Sequence, residues 1–220
     1  MGSTWRVLQL ADSGFPTGGF AHSGGLEAAV QQGEVRGREG LERFVRELLW
    51  QTGHGALPLL GAAWREPSTL EALDARADAF LTNHVANRAS RTQGRAFLDT
   101  CARIFPGPVG PLRQAAREAG VRYHHAPLFG AVLRVLDVEL PDAQQLLLSL
   151  TLRGVLSAAV RMGIAGTHES HQLQNRCAPL LDTVLETCAG LGVESLAQTS
   201  PLMDLLGSTH DRLYSRLFLS

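Results

Sequence analysis

The chain has 220 residues, of which 45% are hydrophobic and 19% are charged, enough for one domain with a sizeable core. Its 20 basic and 21 acidic side chains give a formal net charge of −1 at pH 7, so composition indicates no basic surface for nucleic acid. It has three cysteines without a C-x-x-C motif, and its N-terminus lacks the pattern of a secretory leader. Both observations favour a reducing, cytoplasmic location.

A glycine-rich segment, residues 12–27, stands out in the N-terminal part of the chain. It reads DSGFPTGGFAHSGGLE and contains five Gly, one Pro and two Phe. Because Gly allows backbone angles that other residues avoid and Pro fixes its own, this mixture predicts a shaped loop in which Phe15 and Phe20 pack into the core. The other interpretation is an ordered surface turn without a function. Ser23 is a candidate cap for a following helix, and Glu27 would then lie near the positive helix end.

Two phosphate-binding patterns do not fit this segment. A P-loop needs a Lys that reaches the phosphates, and every basic residue of this chain is Arg. A dinucleotide-binding G-x-G-x-x-G turn follows a strand, whereas the glycines here lie at positions 14, 18, 19, 24 and 25 without a strand-like run before them. Nucleotide binding by the loop is therefore not expected.

Apolar residues recur at helical spacing through most of the chain. The predicted helices cover 41–63 with a kink or break at Pro58, 70–81 after a capping box at 68–71, about 84–105, a short helix up to 119, 128–138, a long apolar helix from about 141, about 169–189 with a kink at Pro179, and 201–212. The Pro- and Gly-rich stretch 106–111 could be a domain boundary, but the helices on both sides need partners, which favours a turn. The sequence therefore predicts an all-α fold, a single-domain helical bundle of roughly eight to ten helices over residues 1–220.

The apolar stretch 146–164 raises the question of a membrane span. Arg153 and Arg161 fall inside it, and a charge near the centre of a bilayer costs about 2.5 to 3.5 kcal/mol on insertion scales. We therefore expect a buried helix of the bundle and no membrane association.

The histidines give only weak metal-ligand candidates. His168 and His171 lie three residues apart near a predicted helix start and could both face a nickel ion. Two ligands alone make a weak site, and surface histidines at a helix terminus are the alternative. The neighbours His124 and His125 are poor chelators as a pair. His22 could be a ligand, but a role as a hydrogen-bonding anchor of the glycine-rich loop is favoured.

Arg88, Arg91 and Arg95 form a row on one face of the predicted helix 84–105. The row could be a solvated helix face. Because Arg pairs with carboxylates through two hydrogen bonds, contact with acidic groups on a partner or a second subunit is favoured instead.

The segment 210–220 carries large apolar side chains where the sequence ends, although chain ends are usually polar. Tyr214, Leu217 and Phe218 are candidates to enter a groove in another protein, with Arg216 as a charged anchor. The alternative is that the segment folds back onto its own bundle.

Five blocks of sequence are distinctive when they are taken together. They are QLADSGFPTGGFAHSGGLEAAVQQG at 9–33, NRASRTQG at 87–94, HAPLFG at 125–130, AAVRMG at 158–163 and HDRLYSRLFLS at 210–220. In this order, and spread over nearly the whole chain, they closely resemble the signature of the urease accessory protein F family, UreF.

The resemblance implies an all-α protein, usually a homodimer, that acts as a maturation chaperone rather than as an enzyme. UreF-like proteins help to incorporate nickel into the urease active site. They bind UreD or UreH, recruit the GTPase UreG, dock on apo-urease and have been viewed as regulators of GTP hydrolysis. The GTPase activity then belongs to UreG, this chain binds no cofactor tightly, and nickel is handled by the complex.

The resemblance also implies that both ends of the chain bind partners, residues 1–27 as an ordered glycine-rich segment and residues 210–220 as a docking tail. The expected partner-binding residues are Asp12, Phe15, Pro16, Gly18, Gly19, His22, Ser23, Gly24, Gly25, Glu27, Arg88, Arg91, Arg95, Tyr214, Arg216, Leu217 and Phe218. No catalytic residue is expected. The alternative function is an all-α enzyme whose glycine-rich loop closes over a small anionic ligand, with His22 as acid or base.

Overall fold

The computed structural model describes residues 3–220, and this part of the chain is helical without a strand. Its α-helices are α1 (Ser3–Ala11), α2 (Leu26–Gln31), α3 (Gly37–Arg65), α4 (Leu70–Phe80), α5 (His84–Ile104), α6 (Pro106–Glu118), α7 (His125–Val135), α8 (Leu140–Arg161), α9 (Thr167–Arg176), α10 (Ala178–Cys188) and α11 (Pro201–Ser208). Short 3₁₀ turns lie at Gly19–Ala21, Pro67–Thr69, Val193–Ser195 and His210–Arg212. The predicted all-α, single-domain bundle is confirmed, with eleven helices in the described residues.

Helix α7 lies at the centre of the bundle. It packs along α3 and α5 and also contacts α4, α6 and α8. Its residues 127–133 are buried without a break, as expected for a helix that is surrounded on all sides and is therefore apolar all round. The rings of Phe97 and Phe129 lie 5.0 Å apart between α5 and α7. The long helix α3 continues this core towards α8 and α10.

Two glycines allow the closest approaches to this central helix. A Cβ atom at Gly130 would collide with the carbonyl oxygen of Leu60 on α3, and one at Gly94 would collide with the carbonyl oxygen of Tyr123 just before α7. The absence of a side chain at these two positions therefore lets the neighbouring backbones approach closely.

The predicted break at Pro58 does not occur, because α3 runs continuously from Gly37 to Arg65. Pro58 has no N–H for the carbonyl of His54, which would leave that oxygen without its helical partner. Ala197 fills the gap by donating its backbone N–H to the His54 carbonyl at 3.3 Å. A tertiary contact thus replaces the missing helical hydrogen bond.

Two other proline positions were assigned wrongly from the sequence. The stretch 106–111 is helix rather than a turn, since α6 begins at Pro106 and only Phe105 separates it from α5. The predicted helix 169–189 is two helices, and Pro179 lies in the first turn of α10. In both places the proline starts a helix, because the first turn needs no N–H from it.

The helix caps also differ from the prediction. No side-chain cap starts α4, and the hydroxyl of Ser68 instead donates to the Glu66 carboxylate at 3.2 Å. Helix α2 begins at Leu26 after Gly25, three residues later than Ser23, but the Ser23 hydroxyl still accepts the N–H of Glu27 in its first turn at 3.3 Å, as the cap prediction requires. The last helix, predicted over 201–212, ends earlier and is followed by a 3₁₀ turn.

Within the described residues, α8 is the helix that is long and apolar enough to cross a membrane by length and composition alone. Its apolar face is buried in the bundle, and the Arg153 side chain donates to the carbonyl of Ala11. The expectation that this stretch is a buried helix of the bundle is therefore confirmed.

Replacing Gly130 with Ala should destabilise the fold by about 1–3 kcal/mol, because the added methyl group meets the backbone of Leu60, which cannot move without shifting α3. Urea unfolding measures the effect. The control is Gly154→Ala on α8, where an added Cβ meets nothing within 4 Å and helix propensity favours Ala by about 0.5–1 kcal/mol. Equal stability of the two variants would contradict the proposed close packing.

Candidate functional site

The glycine-rich loop and the C-terminal segment meet along their backbones. We call residues 18–27 together with 210–220 the junction. The backbone N–H and the hydroxyl of Ser23 both donate to the carbonyl of Ser220, at 2.6 and 2.9 Å. The N–H of Leu219 donates to the Ala21 carbonyl at 2.8 Å. The C-terminal segment therefore folds back onto its own bundle, which was the alternative to a free tail.

Glu27 holds the C-terminal segment through its buried carboxylate. Its carboxylate accepts the backbone N–H groups of Leu217 at 2.6 Å and Phe218 at 3.2 Å, and it lies 2.9 Å from Nε2 of His210. Glu27 and His210 are both buried. A buried carboxylate must have its oxygens satisfied, and here three donors from one segment satisfy them. This position explains why an acidic residue belongs at the start of α2.

Arg161 joins the two halves of the junction from the end of α8. Its guanidinium carbon lies 3.8 Å from the ring centroid of Phe20 and 4.3 Å from that of Phe218. It also donates to the Phe20 carbonyl. Stacking of this kind suits the planar guanidinium, which is weakly hydrated. The prediction that Phe20 packs into the core is wrong, since 69% of the residue is exposed, whereas Phe218 is buried.

The glycines at the junction have the backbone shape that the sequence indicated. Gly18, Gly24 and Gly25 have φ values of 76°, 63° and 88°, a region that favours glycine. The earlier part of the loop, residues 12–16, lies against α5 instead, where the Thr100 hydroxyl donates to the Pro16 carbonyl at 2.8 Å.

Other loop residues support this shape. The Asp12 carboxylate accepts the Gly14 N–H at 2.6 Å, and Phe15 packs against the core. Gly19 begins the 3₁₀ turn. His22 is buried, and its Nδ1 lies 2.6 Å from the Ser220 hydroxyl. This contact matches the favoured interpretation of His22 as a hydrogen-bonding anchor.

The three arginines of α5 do not act as one row. Arg88 makes two hydrogen bonds to Asp211, at 3.0 and 2.8 Å, and these bonds hold the pKa of Asp211 below its usual value. Arg216 lies 3.4 Å from the same carboxylate. Arg95 lies instead over the ring of Tyr123. Arg88 thus contacts the junction through Asp211. A contact of this helix face with a partner stays a prediction.

The weak metal candidates His168 and His171 are exposed on α9. Among residues 3–220 there is no group of three or more His, Cys, Asp or Glu side chains that could hold a metal ion. His124 is engaged elsewhere, by Asp78 at 3.1 Å and Ser90 at 3.2 Å. Neither histidine pair therefore acquires a third ligand from the described part of the chain.

The junction presents an apolar surface to solvent. Tyr214, Leu217 and Leu219 are exposed on the C-terminal segment, and Phe20 is exposed beside them on the loop. Hydrogen bonds hold the backbones of Leu217, Leu219 and Phe20. Exposed apolar side chains on an ordered backbone are typical of interaction surfaces.

Sequence reasoning missed several junction residues. Asp211, His210 and Ser220 lie inside the block 210–220, and Arg161 lies inside the block 158–163. No spacing rule brings these four residues to their respective partners Arg88, Glu27, His22 and Phe20. Their partners are 123 to 198 residues away in sequence. The available signal was the resemblance of those blocks to a family signature.

Comparison with known proteins gives a consistent result. The UreF family model matches residues 35–178. Urease accessory protein F of Arabidopsis thaliana is 40% identical over 223 residues, covering 98% of this chain and 92% of the relative. The protein of the same name from Oryza sativa subsp. indica is 38% identical, covering 98% and 85%. Urease accessory protein UreF of Mycobacterium tuberculosis H37Rv is 32% identical, covering 97% of both chains.

Fold and site together define an all-helical protein with a preformed surface at the junction. The match to the family model and the extent of these similarities identify it more closely. The chain belongs to the UreF family of urease accessory proteins.

Replacing Glu27 with Ala should free the C-terminal segment, because two backbone N–H groups and His210 lose their acceptor. We expect a loss of about 1–3 kcal/mol for each buried donor left without a partner. Amide exchange at Leu217 and Phe218, measured by NMR, should accelerate at least tenfold. The control is Glu34→Ala, which removes an exposed carboxylate a few residues further along the chain and should leave exchange at those two amides unchanged. Unaltered protection in the Glu27 variant would show that the carboxylate does not hold the segment.

Proposed function

We propose that this chain is a urease maturation chaperone that works as a scaffold. It would bind UreD or UreH, recruit the GTPase UreG and take part in placing nickel in apo-urease. Family membership supports the urease role, because the relatives named above are urease accessory proteins. The junction supports the scaffold role and is the single observation that carries it.

The junction supports docking because it is already ordered in the folded chain, before any partner binds. The C-terminal segment is already held by Glu27 and Ser23, while Tyr214, Leu217 and Leu219 face outwards. A partner that binds this surface would not have to immobilise a free tail, which would otherwise weaken association. We therefore propose the apolar face of the junction as the contact for UreD or UreH.

Nickel, in this proposal, is cargo of the assembled complex rather than a resident ion of this chain. GTP hydrolysis would belong to UreG, with this chain as its regulator. We further propose a homodimer in the cytoplasm as the working form.

The rival function, an enzyme that closes its glycine-rich loop over a small anion, gains no support from the junction. The N–H of Ser23 is already paired with the Ser220 carbonyl. The Glu27 N–H has the Ser23 hydroxyl as acceptor at 3.3 Å. The buried Glu27 carboxylate nearby would also repel an anion.

Replacing Leu219 with Arg should weaken binding to UreD or UreH at least tenfold, because a charge would enter the proposed apolar contact. The exposed side chain can be changed without disturbing the core, since only the backbone of Leu219 bonds to Ala21. The measurement is the affinity of purified chain for UreD or UreH, followed by nickel content of urease after maturation with GTP.

The control is Ile104→Arg, at the other end of α5 from Arg88 and about 24 Å along the helix axis. Ile104 is 40% exposed, so it too can accept a charge. It should bind like the unmodified chain. Full affinity of the Leu219 variant, or equal losses in both, would contradict the proposed docking surface.

A further inference from the structure

A cavity of about 290 Å³ lies beneath the junction. His22, Gly25 and Ser220 line it on the junction side, and residues of α3, α4, α5, α11 and the start of α7 form most of the rest of its wall. Most of that wall is apolar, with side chains such as Leu48 and Leu59. An engineered apolar cavity of about 150 Å³ in another protein binds benzene. This cavity is therefore large enough for a small organic molecule.

His22 supplies an unused polar group in this wall. The residue is only 8% exposed, and its Nδ1 is occupied by the Ser220 hydroxyl at 2.6 Å. Its Nε2 is buried and has no hydrogen-bond partner among residues 3–220. A buried ring nitrogen without a partner is unfavourable, so a molecule that offers a hydrogen bond there would be favoured.

The charges around the cavity disfavour an ionic occupant. Burial lowers the pKa of His22, and the nearby Arg88 and His210 lower it further. Burial likewise lowers the pKa of His125, to about 4. Two of the three imidazoles that line the cavity, those of His22 and His125, are therefore neutral at pH 7. The third, His124, is engaged by the Asp78 carboxylate at 3.1 Å. Arg88 disfavours an added cation near His22.

An anion is disfavoured by the opposite wall. Asp204 lines the cavity there, and burial raises its pKa. Its Oδ2 accepts a hydrogen bond from the Gln51 side chain at 3.0 Å. The remaining choice is an uncharged molecule.

We propose that this cavity binds a small, neutral, mainly apolar molecule with one hydrogen-bonding group directed at Nε2 of His22. This site goes beyond the urease role and does not depend on it. Because Gly25 and Ser220 form part of the wall, an occupant would also stabilise the junction.

Four probes of similar size test the chemistry. Benzyl alcohol should bind the full chain saturably, roughly fivefold more tightly than toluene, because only the alcohol can bond to His22. Benzoate and benzylamine should show no saturable binding. Titrations followed by NMR shifts of residues lining the cavity give the dissociation constants. Absence of saturable binding by benzyl alcohol, or tighter binding of either charged probe, would overturn the proposal.

Two substitutions on α3 test whether benzyl alcohol binds in this cavity. Ala56 and Ala62 are partly buried residues of α3, and Ala56 lines the cavity whereas Ala62 does not. Ala56→Leu should weaken benzyl alcohol binding at least tenfold, and Ala62→Leu should change it less than twofold. Equal affinities in these two variants would place the bound probe elsewhere and overturn the proposal.

His22→Asn tests the hydrogen bond itself. Asn keeps a polar atom near the Ser220 hydroxyl but removes the atom equivalent to Nε2. In this variant benzyl alcohol should lose its advantage over toluene. If benzyl alcohol still binds this variant more tightly than toluene to the same extent, the role of His22 is overturned. The comparison of Ala56→Leu with Ala62→Leu tests the site even if His22→Asn does not fold.

Discussion

The carboxylate of Glu27 is the point on which the junction depends. It is buried, yet its oxygens accept two backbone N–H groups of the C-terminal segment and contact the His210 ring. A buried carboxylate without such partners would be costly, and the segment without this acceptor would leave buried donors unpaired. Loop and segment therefore stabilise each other. In this arrangement the backbones of Leu217 and Leu219 are fixed by hydrogen bonds, and their side chains remain exposed.

The bundle supplies the frame for this contact. Close packing of α7 against α3, through Gly130, and of the segment before α7 against α5, through Gly94, holds these three helices together. Arg88 near that beginning then reaches Asp211, and Arg161 at the end of α8 reaches Phe20 and Phe218. Helices α5 and α8 thus each contribute to holding two segments that are far apart in sequence.

The fold class was predictable from the sequence, because helical spacing of apolar residues is a local signal. The same spacing could not predict that α3 continues through Pro58, since the compensating hydrogen bond comes from Ala197, which is distant in sequence. The glycine-rich loop was correctly predicted to have a special backbone shape, but the burial of Phe20 was not. Its ring lies over Arg161 at the surface, a contact that requires knowing how α8 packs.

The candidate site, like the fold, was predictable from the sequence only in part. Glu27 and His22 stood out as polar residues of a shaped loop, but their partners His210 and Ser220 could be assigned only in three dimensions. Membership of the UreF family gives the urease context, and the structure shows that the glycine-rich loop and the C-terminal segment are held together.

Hydrogen-exchange mass spectrometry of the chain with and without UreD or UreH tests the central claim most directly. If the junction is the docking surface, complex formation should add protection in peptides covering residues 18–27 and 210–220, and little at the 104–118 end of the bundle. Protection confined to other helices, with unchanged exchange at both junction segments, would contradict it.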